Sequence, residues 1–180
     1  RDPRDVVVSH VFYVTDMEKE FRSGVIDDFV SEYLVGRTPN PCVRCNEKVK
    51  FHTLMDWAMD LGAKYLATGH YANVRPHGDG YALAKGADET KDQSYFLFEM
   101  GQEQLAATLF PVGRLTKDEV RSVAAAKGLP VAGKAESQEI CFVPDGRYAD
   151  FVAKQAPDRV RPGVIRDERG RELGRHDGVH

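Results

Sequence analysis

Cysteine is scarce in this sequence, with three residues in 180. A small, odd number excludes a disulfide framework and fits a reducing compartment, so a cytoplasmic setting is expected. Long apolar runs are also missing. No stretch approaches the roughly 18 residues that a membrane-spanning helix needs, so no membrane partner is expected. No secretory signal opens the chain. Basic charge is not in excess, since 25 Lys and Arg stand against 28 Asp and Glu, for a formal net charge of −3. That excludes a histone-like binder held by global charge and leaves room for an enzyme with a local basic patch. No repeat and no low-complexity segment is present. The chain begins at Arg1 without a methionine and stops at "GRHDGVH" within strand-and-turn material, so a piece of a longer protein is expected.

What is present reads as alternating strands and helices. "HVFYV" (His10–Val14) is apolar, aromatic and β-branched, hence a strand. Thr15 and Glu18 have the spacing of a capping box, opening a helix to about Leu34 with Phe21, Val25, Phe29 and Tyr33 on one face. Gly36 ends it, and "RTPNP" is a rigid loop. A second helix from about Val43 places Phe51, Leu54, Met55, Ala58 and Leu61 on one face and ends at Gly62. "KYLAT" is a strand. Residues 72–86 read as a hairpin turning at Gly78-Asp79-Gly80. "DQSYFLFEM" and "QEQLAATLF" read as short helices. Thr116 and Glu119 cap a helix that stops at Lys127-Gly128. "PVAGKAESQEICFVPDG" reads as loop and strand, Gly146 to Ala156 as helix, and "GVIRDERGRELG" as a hairpin around Glu168-Arg169-Gly170. The alternation predicts an α/β layer fold with a parallel sheet, and the later hairpin predicts a second module from about residue 145.

Two of the three cysteines sit in "GRTPNPCVRCNEKVKF" (Gly36–Phe51), spaced Cys-x-x-Cys. Structural zinc needs about four ligands, and one pair plus a distant Cys141 does not supply them. A thioredoxin-like pair would follow a strand, whereas this one follows Pro-Asn-Pro. Inert buried cysteine fits poorly beside Arg44, Asn46 and Lys48. Reactive thiols remain. Cys42 and Cys45 lie at or just before a helix N-terminus, where unpaired N–H groups and the dipole favour a thiolate. Arg37, Arg44, Lys48, Lys50 and Lys91 are candidates for a local positive surface, though exposed Arg and Lys are more often only solvated.

The segments "GRTPNPCVRCNEKVKF", "ATGHYA", "KDQSYFLF", "FPVGRLTKDEVR", "ESQEICFV" and "GRHDGVH" together resemble the tRNA-specific 2-thiouridylases, members of the PP-loop ATP pyrophosphatase superfamily. The likeness runs over essentially the whole chain. It implies the latter part of a PP-loop parallel-sheet domain (adenine nucleotide alpha hydrolase-like) over residues 1–144. The start of a small central domain would follow over 145–180. The family's Ser-Gly-Gly-x-Asp-Ser phosphate loop and its C-terminal barrel are not in this sequence. The implied reaction uses ATP with Mg²⁺ to adenylate the C2 oxygen of the wobble uridine of tRNA, and a cysteine persulfide then supplies sulfur. A protein donor, such as a cysteine desulfurase or a sulfur relay protein, would charge the persulfide.

By this resemblance Cys141 carries the persulfide, and Cys45 is the other catalytic cysteine, forming a transient disulfide with it. Asn40, Pro41 and Cys42 meet the target base. Gly69 contacts the nucleotide, although a strand-end turn would also call for it. His70 contacts tRNA, although a satisfied loop histidine reads the same way. Lys91, Asp92 and Gln93 contact tRNA, although Asp92 also suits a helix cap. One departure stands out: many family members have Asp at the position of Cys42, assigned as a general acid/base. A thiol is a weaker acid, with a reference pKa of about 8.5 against about 3.9 for Asp. The alternative chemistry is a [4Fe–4S] cluster held by Cys42, Cys45 and Cys141 with one open iron. Rival readings are another PP-loop pyrophosphatase, which has no need of three cysteines at these positions, and a metal-stabilised RNA-binding module.

Overall fold

The computed structural model describes residues 6–8, 15–130, 132–133 and 139–178. They divide into two compact units, one of Arg1–Phe21 with Cys42–Glu136, the other of Arg22–Pro41 with Ser137–His180.

The first unit is built on a parallel sheet in the order β1 (Val6–Val8), β2 (Tyr65–Ala67), β5 (Thr108–Leu109). Val7 pairs with Leu66, and Leu66 pairs with Thr108 on its other side. The central strand is buried, with Leu66 and Ala67 only 0% and 4% exposed. A strand covered on both faces reads as a continuous apolar run, which is why "KYLAT" was legible. The expected α/β class with a parallel sheet is therefore found. The strand expected at His10–Val14 lies outside the described residues.

β5 corrects the reading of "QEQLAATLF" as one helix. Helix α5 (Gln102–Ala106) stops after one and a half turns, and Thr108–Leu109 pair with β2 instead. Nothing local requires that strand; the empty edge of β2 does. Thr108 still bonds back through its hydroxyl to the Gln104 carbonyl at 2.7 Å.

Helix α1 (Thr15–Phe21) begins where expected. The Cys-bearing helix starts at Pro41 as α3 (Pro41–Arg44), widens into a π-type stretch over Cys45–Leu54, and resumes as α4 (Met55–Asp60). Val43, Val49, Phe51, Leu54, Met55 and Ala58 are buried along it. Leu61, expected on the same face, is 64% exposed, because the helix ends at Asp60 and Gly62 turns the chain away at φ 85°. The hairpin β3 (Ala72–His77) and β4 (Gly80–Lys85) turns through Gly78-Asp79 as expected. Only Gly78 has a positive φ (56°), which is the pattern of a type II′ turn. The Thr116–Glu119 capping box is formed and opens α6 (Lys117–Ala126).

In the second unit α2 (Asp27–Leu34) packs on α7 (Tyr148–Gln155). Phe29, Val30 and Val152 are its buried centre, with Ile140, Phe142 and Phe151 packed against them. Phe29 meets Phe142 edge-on at 5.2 Å between ring centroids. The described part of the expected loop and strand around Cys141 holds turns and no strand. β6 (Gly163–Arg166) and β7 (Glu172–His176) form the expected second hairpin, and Asp167 caps its loop by accepting from the backbone of Arg169 and Arg171.

Candidate functional site

Helix α3 begins at Pro41, so the proline sits where its missing N–H costs nothing. Cys42 is then the second helical residue, within the first turn where unpaired N–H groups and the dipole act. Cys45 is the fifth, one turn further on, at the point where the helix widens. That refines the sequence expectation: the helix terminus favours an anion at Cys42 more than at Cys45. Cys42 is exposed and Cys45 half-buried. Of the other residues expected at the base, Asn40 is exposed and Pro41 buried.

Cys141 belongs to the second unit and is exposed. Its neighbours Ile140 and Phe142 both pack into that unit's core. The apolar flanks anchor the segment and leave the thiol between them in solvent. Among the described residues, no group of three or more His, Cys, Asp or Glu side chains is placed to hold a metal ion.

Gly69 lies two residues beyond β2, at the carboxyl end of the sheet's central strand. Ligands of open parallel sheets bind in the crevice outside the strands' carboxyl ends. A Cβ built on Gly69 meets nothing within 4 Å, and the residue is exposed. No contact among the described residues demands glycine here; the close approach of a ligand would.

His70, in contrast, is a buried histidine, 9% exposed. Its Nδ1 lies 2.8 Å from the Thr68 hydroxyl, and its ring lies 6.0 Å from those of Phe51 and Phe110. Burial, with the Lys50 ammonium adding to it, lowers its pKa to about 3. Folded His70 is therefore neutral in the range where an unfolded one, with a pKa near 6.5, takes up a proton. Between those values the unfolded state binds up to one more proton, so stability is complete above about pH 6.5 and falls as the pH drops. The limiting slope is about 1.4 kcal/mol per pH unit. Denaturant unfolding at pH 7.5, 6 and 5 should show this loss, and His70→Gln should flatten it. An unchanged slope in the variant would refute the assignment.

The Lys91–Gln93 segment is held from within. Asp92 accepts from the Gly86 N–H at 2.8 Å and from the Ser94 hydroxyl at 2.7 Å, and these bonds, working against burial, keep its carboxyl below the usual range. Gln93 and Tyr71 exchange two bonds, Gln93 N–H to the Tyr71 carbonyl at 2.9 Å and Tyr71 N–H to Gln93 Oε1 at 3.0 Å. The cap expected at Asp92 is displaced by one residue: Gln93 is the N-cap of the short helical turn Ser94–Leu97, with no side chain capping it, and Asp92 braces the loop instead. Gln93 ties its segment to the strand end at Gly69 and His70. Of the basic candidates, Arg37 is paired with Glu32, and Arg44 with Glu47 at 2.9 Å.

Cys42, Cys45, Gly69, His70 and Lys91–Gln93 all fall in the first unit. Sequence reasoning missed Asn46, which bonds the Cys45 helix to Phe96 just after that segment, with Nδ2 donating to the carbonyl at 3.1 Å. Its one signal was adjacency to Cys45.

Residues 6–145 match the family model described as the tRNA methyl transferase HUP domain. The chain belongs to this family. Over 170 residues it is 57% identical to the tRNA-specific 2-thiouridylase MnmA of Geotalea uraniireducens (strain Rf4), a match covering 94% of this chain and 45% of the relative. The protein of that name from Geobacter metallireducens is 55% identical over 170 residues, with 94% and 46% covered. That from Roseiflexus castenholzii is 47% identical over 184 residues, with 93% and 50% covered. The chain spans about half the length of the curated relatives it matches. Among the described residues, no helix is long and apolar enough to cross a membrane.

Proposed function

We propose that the protein containing this chain is a tRNA-specific 2-thiouridylase, a tRNA-uridine 2-sulfurtransferase. The observation that carries the reading is identity of 47–57% to proteins of that name over nearly all of the chain. The geometry supports it with an exposed Cys141 and a half-buried Cys45, each held on a packed support. Residues 1–144 would form the latter part of the nucleotide-binding domain and 145–180 the start of the central one.

ATP with Mg²⁺ would bind beyond the carboxyl end of β2, with Gly69 at the nucleotide. Attack of the uridine C2 oxygen on ATP expels pyrophosphate and converts that oxygen into a leaving group. A sulfur-donor protein charges Cys141 as a persulfide, whose outer sulfur attacks C2 and expels AMP. The Cys45 thiolate then attacks Cys141 Sγ and cleaves the S–S bond. The outer sulfur leaves with the base as 2-thiouridine, and Cys45 and Cys141 become a disulfide that an external thiol reduces. Asn40 and Cys42 would face the base from either side of the buried Pro41, and the Lys91–Gln93 segment the tRNA, with the buried His70 supporting the strand end beside it. The cycle needs reduced thiols, as a cytoplasmic enzyme would have.

The test is full-length protein, purified without oxygen, incubated with tRNA, ATP, Mg²⁺ and a persulfide donor. The expected result is 2-thiouridine with AMP and pyrophosphate released, and no bound iron. AMP release without thiolation would overturn the sulfur-transfer reading. Stoichiometric iron and sulfide would replace the persulfide with a cluster on Cys42, Cys45 and Cys141.

A further inference from the structure

Asn46 directly follows the Cys45 thiol and is a polar side chain only 4% exposed. Burying an amide is costly unless both ends are paired. One end is paired, through Nδ2 to the Phe96 carbonyl at 3.1 Å. The other, Oδ1, is buried and has no hydrogen-bond partner among the described residues. Asn46 lines a cavity of about 10 Å³ together with Glu47, Phe96, Met100 and Gln104. That is about the smallest space that holds one water.

The Phe96 end of the bond leads to the rest of the site. Phe96 N–H donates to the Gln93 carbonyl at 3.0 Å, and Gln93 is doubly bonded to Tyr71, the residue after His70. One side-chain bond thus joins the thiol's helix to the Lys91–Gln93 segment and to the strand end at Gly69. It does so where α3 gives way to the π-type stretch at Cys45. A helix that changes its hydrogen-bonding step at one residue has two neighbouring registers there, and each aims that side chain differently. A fixed partner at the next residue selects one.

We propose that Asn46 is a positioning residue for the Cys45 thiol. Its Nδ2 pins the widened turn to the Phe96 carbonyl. The inference rests on the reading of Cys45 as the working thiol.

The experiment compares full-length wild type with Asn46→Ala and Asn46→Asp. The aspartate keeps the shape and the acceptor but removes the donor, and it stands in if the alanine variant does not fold. Three quantities are read: the pH profile of Cys45 alkylation by iodoacetamide, followed on its own peptide; kcat and KM for tRNA in thiolation; and tRNA-dependent ATP–pyrophosphate exchange with Tm. Both variants should shift the alkylation rate at least about threefold and lower thiolation kcat at least about tenfold. KM for tRNA and the exchange rate should stay within about twofold. Unchanged alkylation and kcat would overturn the proposal, as would a parallel fall of kcat, exchange and Tm, which would make Asn46 merely structural. If wild type forms no 2-thiouridine, the functional reading fails, while alkylation of Cys45 still decides the role of Asn46.

Discussion

Full-length protein carrying Cys141→Ser is expected to form 2-thiouridine at least about 10³-fold more slowly, because a serine hydroxyl cannot carry the sulfur that is transferred. ATP–pyrophosphate exchange with tRNA should persist, since adenylation precedes any use of the thiol. Stability should also be nearly unchanged. Cys141 is exposed, and the side chains that anchor its segment are Ile140 and Phe142. Exposed substitutions of this kind usually stay within about 0.5 kcal/mol. Cys45→Ser should fail differently. The persulfide can still attack C2, but no thiolate then cleaves the S–S bond, so a protein–tRNA disulfide should accumulate. Dithiothreitol should release thiolated tRNA from it. The measurements are mass analysis of nucleosides and of the adduct. Normal thiolation by Cys141→Ser would remove that residue as sulfur carrier, and no adduct with Cys45→Ser would remove Cys45 as the resolving thiol.

The second large effect is on stability, at Gly113. A Cβ there would lie 1.8 Å from the Ala72 carbonyl oxygen and 2.8 Å from Asn73 Oδ1. Ala72 begins the first hairpin, so the obstacle is backbone already committed to a ladder. Gly113 cannot retreat either, because its carbonyl accepts from the Ala87 N–H at 2.8 Å and from Asn73 Nδ2 at 2.9 Å. Overpacking costs about 1–3 kcal/mol, and more where no flexible side chain can yield. Gly113→Ala should therefore cost about 3 kcal/mol, a fall of roughly 10 °C in Tm. Gly69→Ala is the contrast. Its Cβ meets nothing within 4 Å, so Tm should hold while ATP-dependent exchange weakens. Equal thermal shifts in the two variants would refute the distinction between a packing glycine and a binding glycine. If Gly69→Ala left exchange unchanged, the nucleotide contact would have to be placed elsewhere.

Much of the fold was legible because its signals are local. Thr116 and Glu119 form their capping box within one turn, and Gly78 supplies the positive φ its hairpin needs. The buried faces of the Cys-bearing helix followed from spacing, up to Leu61, where the helix had already ended. The candidate residues were legible as chemical types, since thiols, a strand-end glycine and a Lys-Asp-Gln run can be read without a structure.

Tertiary structure decided what those residues do with their side chains. Thr108–Leu109 became a strand only because the edge of β2 was there to pair with. His70 became a neutral core residue because Phe51 and Phe110 flank it, and neither is near it in sequence. Asp92 and Gln93 were committed to Gly86, Ser94 and Tyr71. Asn46, read in the sequence only as a polar neighbour of Cys45, acquired a partner 50 residues away. The physical reason is the same each time. Backbone caps and turns are satisfied within a few residues, so sequence alone determines them. A buried polar group must find its partner wherever the packed chain brings one, and only the fold determines where that is.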